Sequence, residues 1–456
     1  MPKFYLFLVF LLWGCKSKHI DITRIESRMP PDHHFSLSGD SNASDIPIFP
    51  SIIKIDGLDF LISNALMRNP DWRVQLAKVE LVRAKSGLPA VNSEPSLHAQ
   101  LGFREGKENT RESGFVQNSI PHWQSGALFD WEIDLWGKWK LLEESSIMHI
   151  QEAEYLKEAA KITFIHEIAS SWVFICALKE EMQILEEATA SQKKSLEFYE
   201  QRVQAGLDNN ITYTRQKVSL EQIKLEQSKV FRQFEIAKIR LCSLLGNPLQ
   251  AELPEIIKLS ESELPSLPEV FPTRALKNLP HLKAKEAKLK ESLLLKKNSQ
   301  YDLYPSLSFR ASGISMSSDL SSPFNQWKAS FGPVLNLPIW SPKKKIAHKV
   351  AISQAELYKD EWNASVNLAI EEIELATKSF IMIQNEYSIA SNASKEITKV
   401  YQTTLDRLQA GLISQLDLLE DERQYLSLQR DELSTRLQVF QFAINLTKSL
   451  GLRWAQ

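Results

Sequence analysis

The sequence predicts a mainly α-helical protein with a small β part, built as one duplicated unit, and three observations carry that prediction. Long stretches lack both glycine and proline, with only 15 Gly in 456 residues and 43% hydrophobic residues, which favours helix over sheet. The hydrophobic period nonetheless changes from helical to alternating at two places, beginning near Leu97 and Leu307. Landmarks also recur in order along the chain. Pro70 returns as Pro280, and Pro95-Ser96-Leu97 returns as Pro305-Ser306-Leu307, both 210 residues later. Trp136 returns as Trp340 after 204 residues; Gln204-Ala205-Gly206-Leu207 returns as Gln409-Ala410-Gly411-Leu412 and Leu245-Gly246 as Leu450-Gly451 after 205. Five anchors in register mark a duplication. Two copies are too few for a solenoid, so they build a single body.

At the amino terminus, Lys3 precedes an unbroken apolar run from Phe4 to Trp13, then Gly14 and Cys15. The run is shorter than the ~20 residues a spanning helix needs, and it suits the core of a secretory signal over residues 1–14. Leu12-Trp13-Gly14-Cys15 resembles a bacterial lipobox, cut before a cysteine that becomes lipidated, although Trp13 is atypical there. An ordinary signal peptide with an incidental cysteine is the alternative. Lys16 after the cysteine resembles outer-membrane lipoproteins. Residues 15–55, polar and holding Pro30, Pro31, Pro47 and Pro50, read as an extended tether. No later segment reads as a membrane-spanning helix, so further membrane contact must come from strands.

The first repeat is placed at 56–246 and the second at 273–456, joined by a linker at 247–272 that holds five prolines. In the second repeat a charged helix over 270–300 ends before Pro305. Leu307, Phe309 and Ala311 then alternate with Ser306, Ser308, Arg310 and Ser312; beyond a polar loop, Trp327, Ala329, Phe331, Leu335, Leu337 and Ile339 continue an apolar series. In the first repeat Leu97, Ala99, Leu101 and Phe103 alternate with His98, Gln100 and Arg104, and Ala127, Phe129, Trp131 and Ile133 with Asp130, Glu132 and Asp134. An apolar face opposite a carboxylate-bearing one suits strands with lipid on one side and water on the other. A half-buried soluble hairpin would show the same period. Each hairpin leads into a stretch without Gly or Pro, Lys138 to Gly206 and Lys343 to Gly411. Phe380, Ile383, Tyr387, Ala390, Ile397, Tyr401 and Leu408 form a coiled-coil seam there, weak at Ser394 and Thr404. A second helix of each pair follows. The helix before Gly451 carries two apolar stripes, which calls for two helical neighbours.

The balance of 54 basic and 56 acidic residues gives no reason to expect nucleic acid. Three cysteines are too few for a disulfide framework, and Cys176 and Cys242 read as core thiols. No catalytic constellation, metal site or cofactor motif emerges: His166-Glu167 lacks the second histidine of a zincin, and His33-His34 reads as a solvated pair. The protein is therefore not expected to be an enzyme.

Asn69-Pro70-Asp71 before a charged helix, Trp131-Glu132-Ile133-Asp134-Leu135-Trp136-Gly137, the two Ala-Gly-Leu turns and Pro305-Ser306-Leu307 together resemble the TolC-like outer-membrane efflux proteins. The likeness runs from about residue 55 to 454, and the lipobox points to the lipoprotein branch serving resistance-nodulation-division pumps. The resemblance implies a homotrimer in which four strands per chain complete a twelve-stranded transmembrane barrel and long helices form an α-barrel in the periplasm. It implies a passive duct for small toxic compounds, lipid-anchored in the outer membrane, working with a periplasmic adaptor (membrane fusion) protein and an inner-membrane transporter. It places adaptor docking at Ala205, Gly206, Leu207, Ala410, Gly411 and Leu412, and a periplasmic gate at Asp417, Glu420, Leu408 and Thr212. Two alternatives remain at this stage: a type I protein-secretion duct, and a coiled-coil lipoprotein scaffold without a pore.

Overall fold

A computed structural model of the chain describes residues 52–88, 91, 93–104, 122–249, 253–265, 276, 278–317 and 326–452. Cys15, His33 and His34 lie outside the described residues. Ile52, Ile53 and Ile55, at the end of the expected tether, are buried. They lead through Gly57 into α1 (Leu58–Arg68), whose Leu58, Leu61, Ile62 and Ala65 face the core. Gly57 takes φ 82°, and a Cβ there would lie 2.6 Å from the Pro254 ring, so only glycine lets the linker pass this close. Asn69 starts α2 (Pro70–Ser86) by accepting the Trp72 N–H at 2.9 Å, with Pro70 in the first turn where its missing donor costs nothing. The same side chain donates to the Leu244 carbonyl at 2.8 Å, tying the start of the first repeat to its end.

Strands β1 (Ser96–Arg104), β2 (His122–Ile133), β3 (Ser306–Ser317) and β4 (Gln326–Asn336) form one antiparallel sheet in chain order. The two hairpins therefore meet along β2 and β3. The alternation expected to run on to Ile339 stops at Asn336. Pro338 has no N–H to give the ladder, and the Ile339 N–H instead bonds back to the Leu337 carbonyl at 2.9 Å. Asp134 also leaves the strand pattern. Its carboxylate accepts the N–H groups of Lys138, Trp139 and Lys140 at 2.6, 3.0 and 3.3 Å, capping the next helix.

That helix, α3 (Lys138–Gln204), has 67 residues, and its counterpart α6 (Pro342–Gln409) has 68, each a rod of about 100 Å at a rise of about 1.5 Å per residue. The partners α4 (Asn210–Leu244) and α7 (Gln415–Ser449) have 35 residues each. Helix α5 (Pro280–Tyr301) corresponds to α2 and starts at its proline, ten residues after the expected boundary. It packs against both α3 and α6, while α7 packs against α6 and α3. This matches the two apolar stripes: Leu419, Leu426, Leu433, Phe440 and Ile444 are buried on one, and Leu418, Val439 and Leu446 on the other. On α6 the weak seam positions Ser394 and Thr404 are buried beside Phe380, Ile383 and Ile397.

By length and composition α3 holds a stretch apolar enough to cross a membrane, contrary to expectation, but that stretch is 61% buried. Trp172, Val173, Ile175 and Cys176 in its middle are fully buried. Trp172 anchors the region by donating to the Asp56 carbonyl at 3.1 Å; truncating a core tryptophan of this kind costs about 3–5 kcal/mol. Cys176 and Cys242 are free and buried, and burial pushes the Cys176 thiol up to about 12. The linker is strapped to the helices by Arg436, which donates to the carbonyls of Leu259, Ser260 and Ser262 and to the Tyr387 hydroxyl.

Candidate functional site

Two places concentrate features that packing does not explain. The first is the sheet. Its register aligns Leu97, Phe129, Ala311 and Phe331 in one row across all four strands, with Ala99, Ala127, Gly313 and Ala329 in another. Phe103 and Trp123 pair on the same face, with ring centroids 5.2 Å apart, and so do Trp131 and Phe309. The opposite face carries Asp130, Glu132, Arg310 and Lys328, one step along each strand from the apolar rows. Arg310 donates to the Asp130 carboxylate at 2.6 Å, and the hydroxyls of Ser312 and Ser330 share a hydrogen bond of 2.8 Å. Phe331 and Trp327 are 89% and 71% exposed: aromatic groups are displayed outward on a face without a soluble core to cover it.

Two of the three carboxylates in the expected row, those of Asp130 and Glu132, remain on this polar face. The third, Asp134, is the helix cap described above. The boundary between sheet and helices is fastened by aromatic and cationic groups. Trp136 Nε1 donates to the Pro305 carbonyl at 2.7 Å, and its ring meets Tyr304 edge-on at 5.2 Å. Lys344, in the basic run that starts α6, donates to the Asp302 carbonyl at 2.8 Å.

The second place is the pair of helical turns at the other end of the long helices. Gly206 and Gly411 adopt φ 71° and 70°. The Leu207 N–H reaches back to the Arg202 carbonyl and the Gly206 N–H to that of Val203; Leu412 and Gly411 repeat both bonds to Arg407 and Leu408. This is the six-to-one, five-to-two closure that needs a left-handed residue after the helix. Leu207 and Leu412 stand 68% and 71% exposed at these turns. Ala205 and Ala410 are the last residues before the glycines, both exposed.

Thr212 and Asp417 occupy matching positions, three residues into α4 and α7. Thr212 gives both its N–H and its hydroxyl to Asn209, at 3.0 and 3.1 Å. Asp417 forms a capping box with Ser414, accepting its N–H and hydroxyl at 3.0 and 2.8 Å. Those bonds, the hydroxyl's first, hold the Asp417 carboxyl below the usual carboxylate range. Asp417 and Glu420 are exposed, and Leu408 is half-buried. The next two carboxylates are taken up within the chain, Asp421 by the Thr404 hydroxyl at 2.6 Å and Glu422 by Ser191 at 2.5 Å. Tyr401 and Tyr425 stack at 4.9 Å and join α6 to α7 just behind.

The sequence reading missed one cluster. His149 and Glu152, one turn apart on α3, meet Glu291 of α5. The spacing of three signals half of it; no local pattern signals Glu291.

Comparison with known proteins gives these features a setting. The outer membrane efflux protein family matches residues 61–247 and 271–452. The solvent efflux pump outer membrane protein SrpC of Pseudomonas putida is 24% identical, with 99% of this chain and 98% of that protein aligned. The cation efflux system protein CusC of Escherichia coli is 24% identical over 94% of each. A crystal structure of CusC superposes with a TM-score of 0.79 at 20% identity, covering 94% of this chain and 98% of that one. The open-state MtrE channel of Neisseria gonorrhoeae also reaches 0.79 at 20% identity, covering 93% and 96%. With both repeats matched and the fold shared along nearly the whole length, the chain belongs to the outer membrane efflux protein family.

Proposed function

We propose that the chain is the outer-membrane duct of a tripartite efflux assembly, in which three copies close a common pore. The observation that carries this reading is the sheet: four strands with an apolar outer face, a charged inner face and, among the described residues, no strand paired to the free edges of β1 and β4. Open edges are not tolerated in lipid, and bacterial barrels have at least about eight strands. Copies must therefore pair β4 of one with β1 of the next, and three give the twelve strands expected from the family. The long helices continue the duct into the periplasm. The chain carries no energy source in this reading: an inner-membrane transporter drives export of small toxic compounds, and a periplasmic adaptor docks at the turns holding Ala205, Gly206, Leu207, Ala410, Gly411 and Leu412. Cys15 anchors the tether in the membrane as a lipidated cysteine.

The gate is assigned to Asp417 and Glu420, with Leu408 as the apolar closure and Thr212 as the neutral counterpart in the first repeat. Repeated by threefold symmetry, Asp417 becomes a ring that draws cations. The test is reconstitution of the purified protein in planar bilayers. The duct reading expects heat-modifiable trimers and single-channel conductance, with cation selectivity or divalent block altered by Asp417→Ala. A monomer that inserts nothing would refute the duct; unchanged selectivity and block would retire the gate assignment alone.

A further inference from the structure

We propose that His149, Glu152 and Glu291 form a binding site for a divalent transition-metal ion of the zinc class, which fastens α3 to α5, with Lys288 as its built-in competitor. The cluster lies where these helices run antiparallel. Nearer the sheet, Asn298 on α5 donates to the Lys138 carbonyl at 2.9 Å, and Lys138 pairs with Asp302 at 2.7 Å. Further along, His149 and Glu152 project from one face of α3 at a spacing of three, and Glu291 comes from α5.

His149 Nδ1 lies 3.3 Å from Glu152 Oε2 and 3.5 Å from Glu291 Oε2. Tetrahedral nitrogen and oxygen ligands at about 2.0–2.2 Å from a zinc ion stand about 3.4 Å from one another. Both distances from the imidazole nitrogen thus match the edge of a coordination tetrahedron, and all three donor atoms lie within 4.8 Å of one another, with the fourth position left to water.

The pocket is built for a cation, because it already holds one of its own. Lys288 Nζ lies 3.3 Å from the same Glu152 oxygen and 3.0 Å from the same Glu291 oxygen. One ammonium against two carboxylates leaves an unbalanced negative charge in a half-buried place: the carboxylate side chains of Glu152 and Glu291 are 18% and 14% exposed. A divalent ion balances both carboxylates and also coordinates the imidazole lone pair, to which an ammonium can only donate a hydrogen bond. Imidazole with carboxylates favours zinc, nickel, cobalt or copper over magnesium or calcium. In the same position the Lys288 ammonium also lies 5.6 Å from the Tyr358 ring on α6.

The site belongs to one repeat. The residue that matches His149 in the second copy is Ser353, and Leu81 stands where Glu291 would recur in the first. The test uses the full-length protein in detergent, stripped with chelator, titrated calorimetrically with zinc and followed by visible absorption with cobalt. The expected result is one ion per chain. Removing a ligand by His149→Ala or Glu291→Gln weakens binding about tenfold or more, and Lys288→Met tightens it by removing the competitor. Absence of saturable binding overturns the proposal, as does equally tight binding by His149→Ala, which would place the ion elsewhere. Weaker binding in Lys288→Met overturns the competitor role.

Discussion

Asp134 separates two physical readings of the same carboxylate, and its replacement distinguishes them. In the alternation of β2 it continues the row of Asp130 and Glu132, which would make it a charge on the pore wall. In the structure it instead receives three N–H groups at 2.6, 3.0 and 3.3 Å from the first turn of α3. Losing an N-terminal cap costs about 0.5–2 kcal/mol, and losing a negative charge at a helix N-terminus adds about 0.3–1 kcal/mol. Asp134→Ala should therefore destabilise the opening of α3 by about 1–3 kcal/mol. At about 1.4 kcal/mol per tenfold, amide exchange at Lys138, Trp139 and Lys140 should quicken roughly five- to hundredfold, measured by hydrogen exchange and mass spectrometry on the protein in detergent. Asp134→Asn keeps an acceptor but no charge, so its effect should be smaller. Ion selectivity should shift with Glu132→Gln and stay put with Asp134→Asn. Unchanged exchange in Asp134→Ala, together with a selectivity shift as large as that of Glu132→Gln, would refute the capping account.

Two further outcomes follow from buried and left-handed positions. His166 is held between the Ile162 carbonyl at 2.6 Å and the Thr447 hydroxyl at 3.0 Å; burial, reinforced by the positive charge of Lys448, lowers its pKa to about 4 from 6.5. The unfolded chain binds this proton first, so the associated stability is complete above pH 6.5 and drains away as pH falls toward 4, by about 3 kcal/mol at about 1.4 kcal/mol per unit. His166→Leu should flatten the fall in melting temperature over that window; an undiminished fall would reject the assignment. At the glycines, Gly411→Ala meets open space and pays only for its left-handed backbone, about 1–2 kcal/mol, while Gly57→Ala must also displace the Pro254 ring 2.6 Å away. The melting temperature should therefore drop more for Gly57→Ala, and equal drops would show that the linker yields freely.

The repeat, the long rods and the tip turns were legible in the sequence because each depends on local rules: freedom from Gly and Pro, a seam of period three and four, a glycine where φ must be positive. The face of each strand was legible for the same reason, since alternation alone assigns Phe129 and Asp130 to opposite sides. What depended on contacts distant in sequence was not. Nothing near β2 announces that it pairs with β3 across 180 residues, as Arg310 and Asp130 do. The ends of β2 and β4 were misplaced because alternation persists into residues whose backbone has left the ladder. Asp134 and Ile339 fit the period while their hydrogen bonds go elsewhere. Glu291 was invisible as a partner of His149 because the two stand 142 residues apart in the chain.

The mismatch between repeats at the tip bears on the gate more directly than the charge alone does. A carboxylate three residues into a helix has an ordinary occupation, and Asp417 fulfils it by closing a capping box with Ser414. If capping were the whole explanation, the first repeat would need an equivalent. It has one: Asn209 caps the Thr212 N–H at 3.0 Å, as Ser414 caps that of Asp417, and the Asn209 N–H goes to the Asp208 carboxylate at 2.9 Å, as the Ser414 N–H goes to Asp417. The fold thus uses a carboxylate on the N-cap N–H in both repeats, from the residue before the cap in the first and from three residues inside the helix in the second, so the repeats differ in where the charge stands rather than in whether one is used. Its neighbours Asp421 and Glu422 are half-buried and accept hydroxyl hydrogen bonds from the helices packed beside them, whereas Asp417 is exposed and its carboxyl is held below the usual range by Ser414. In a threefold assembly three such groups would face one another, and their mutual repulsion would oppose the downward pull of the cap on each pKa. What distinguishes the repeats is the placement of that charge, and the selectivity of Asp417→Ala decides whether the placement serves a cation-drawing ring.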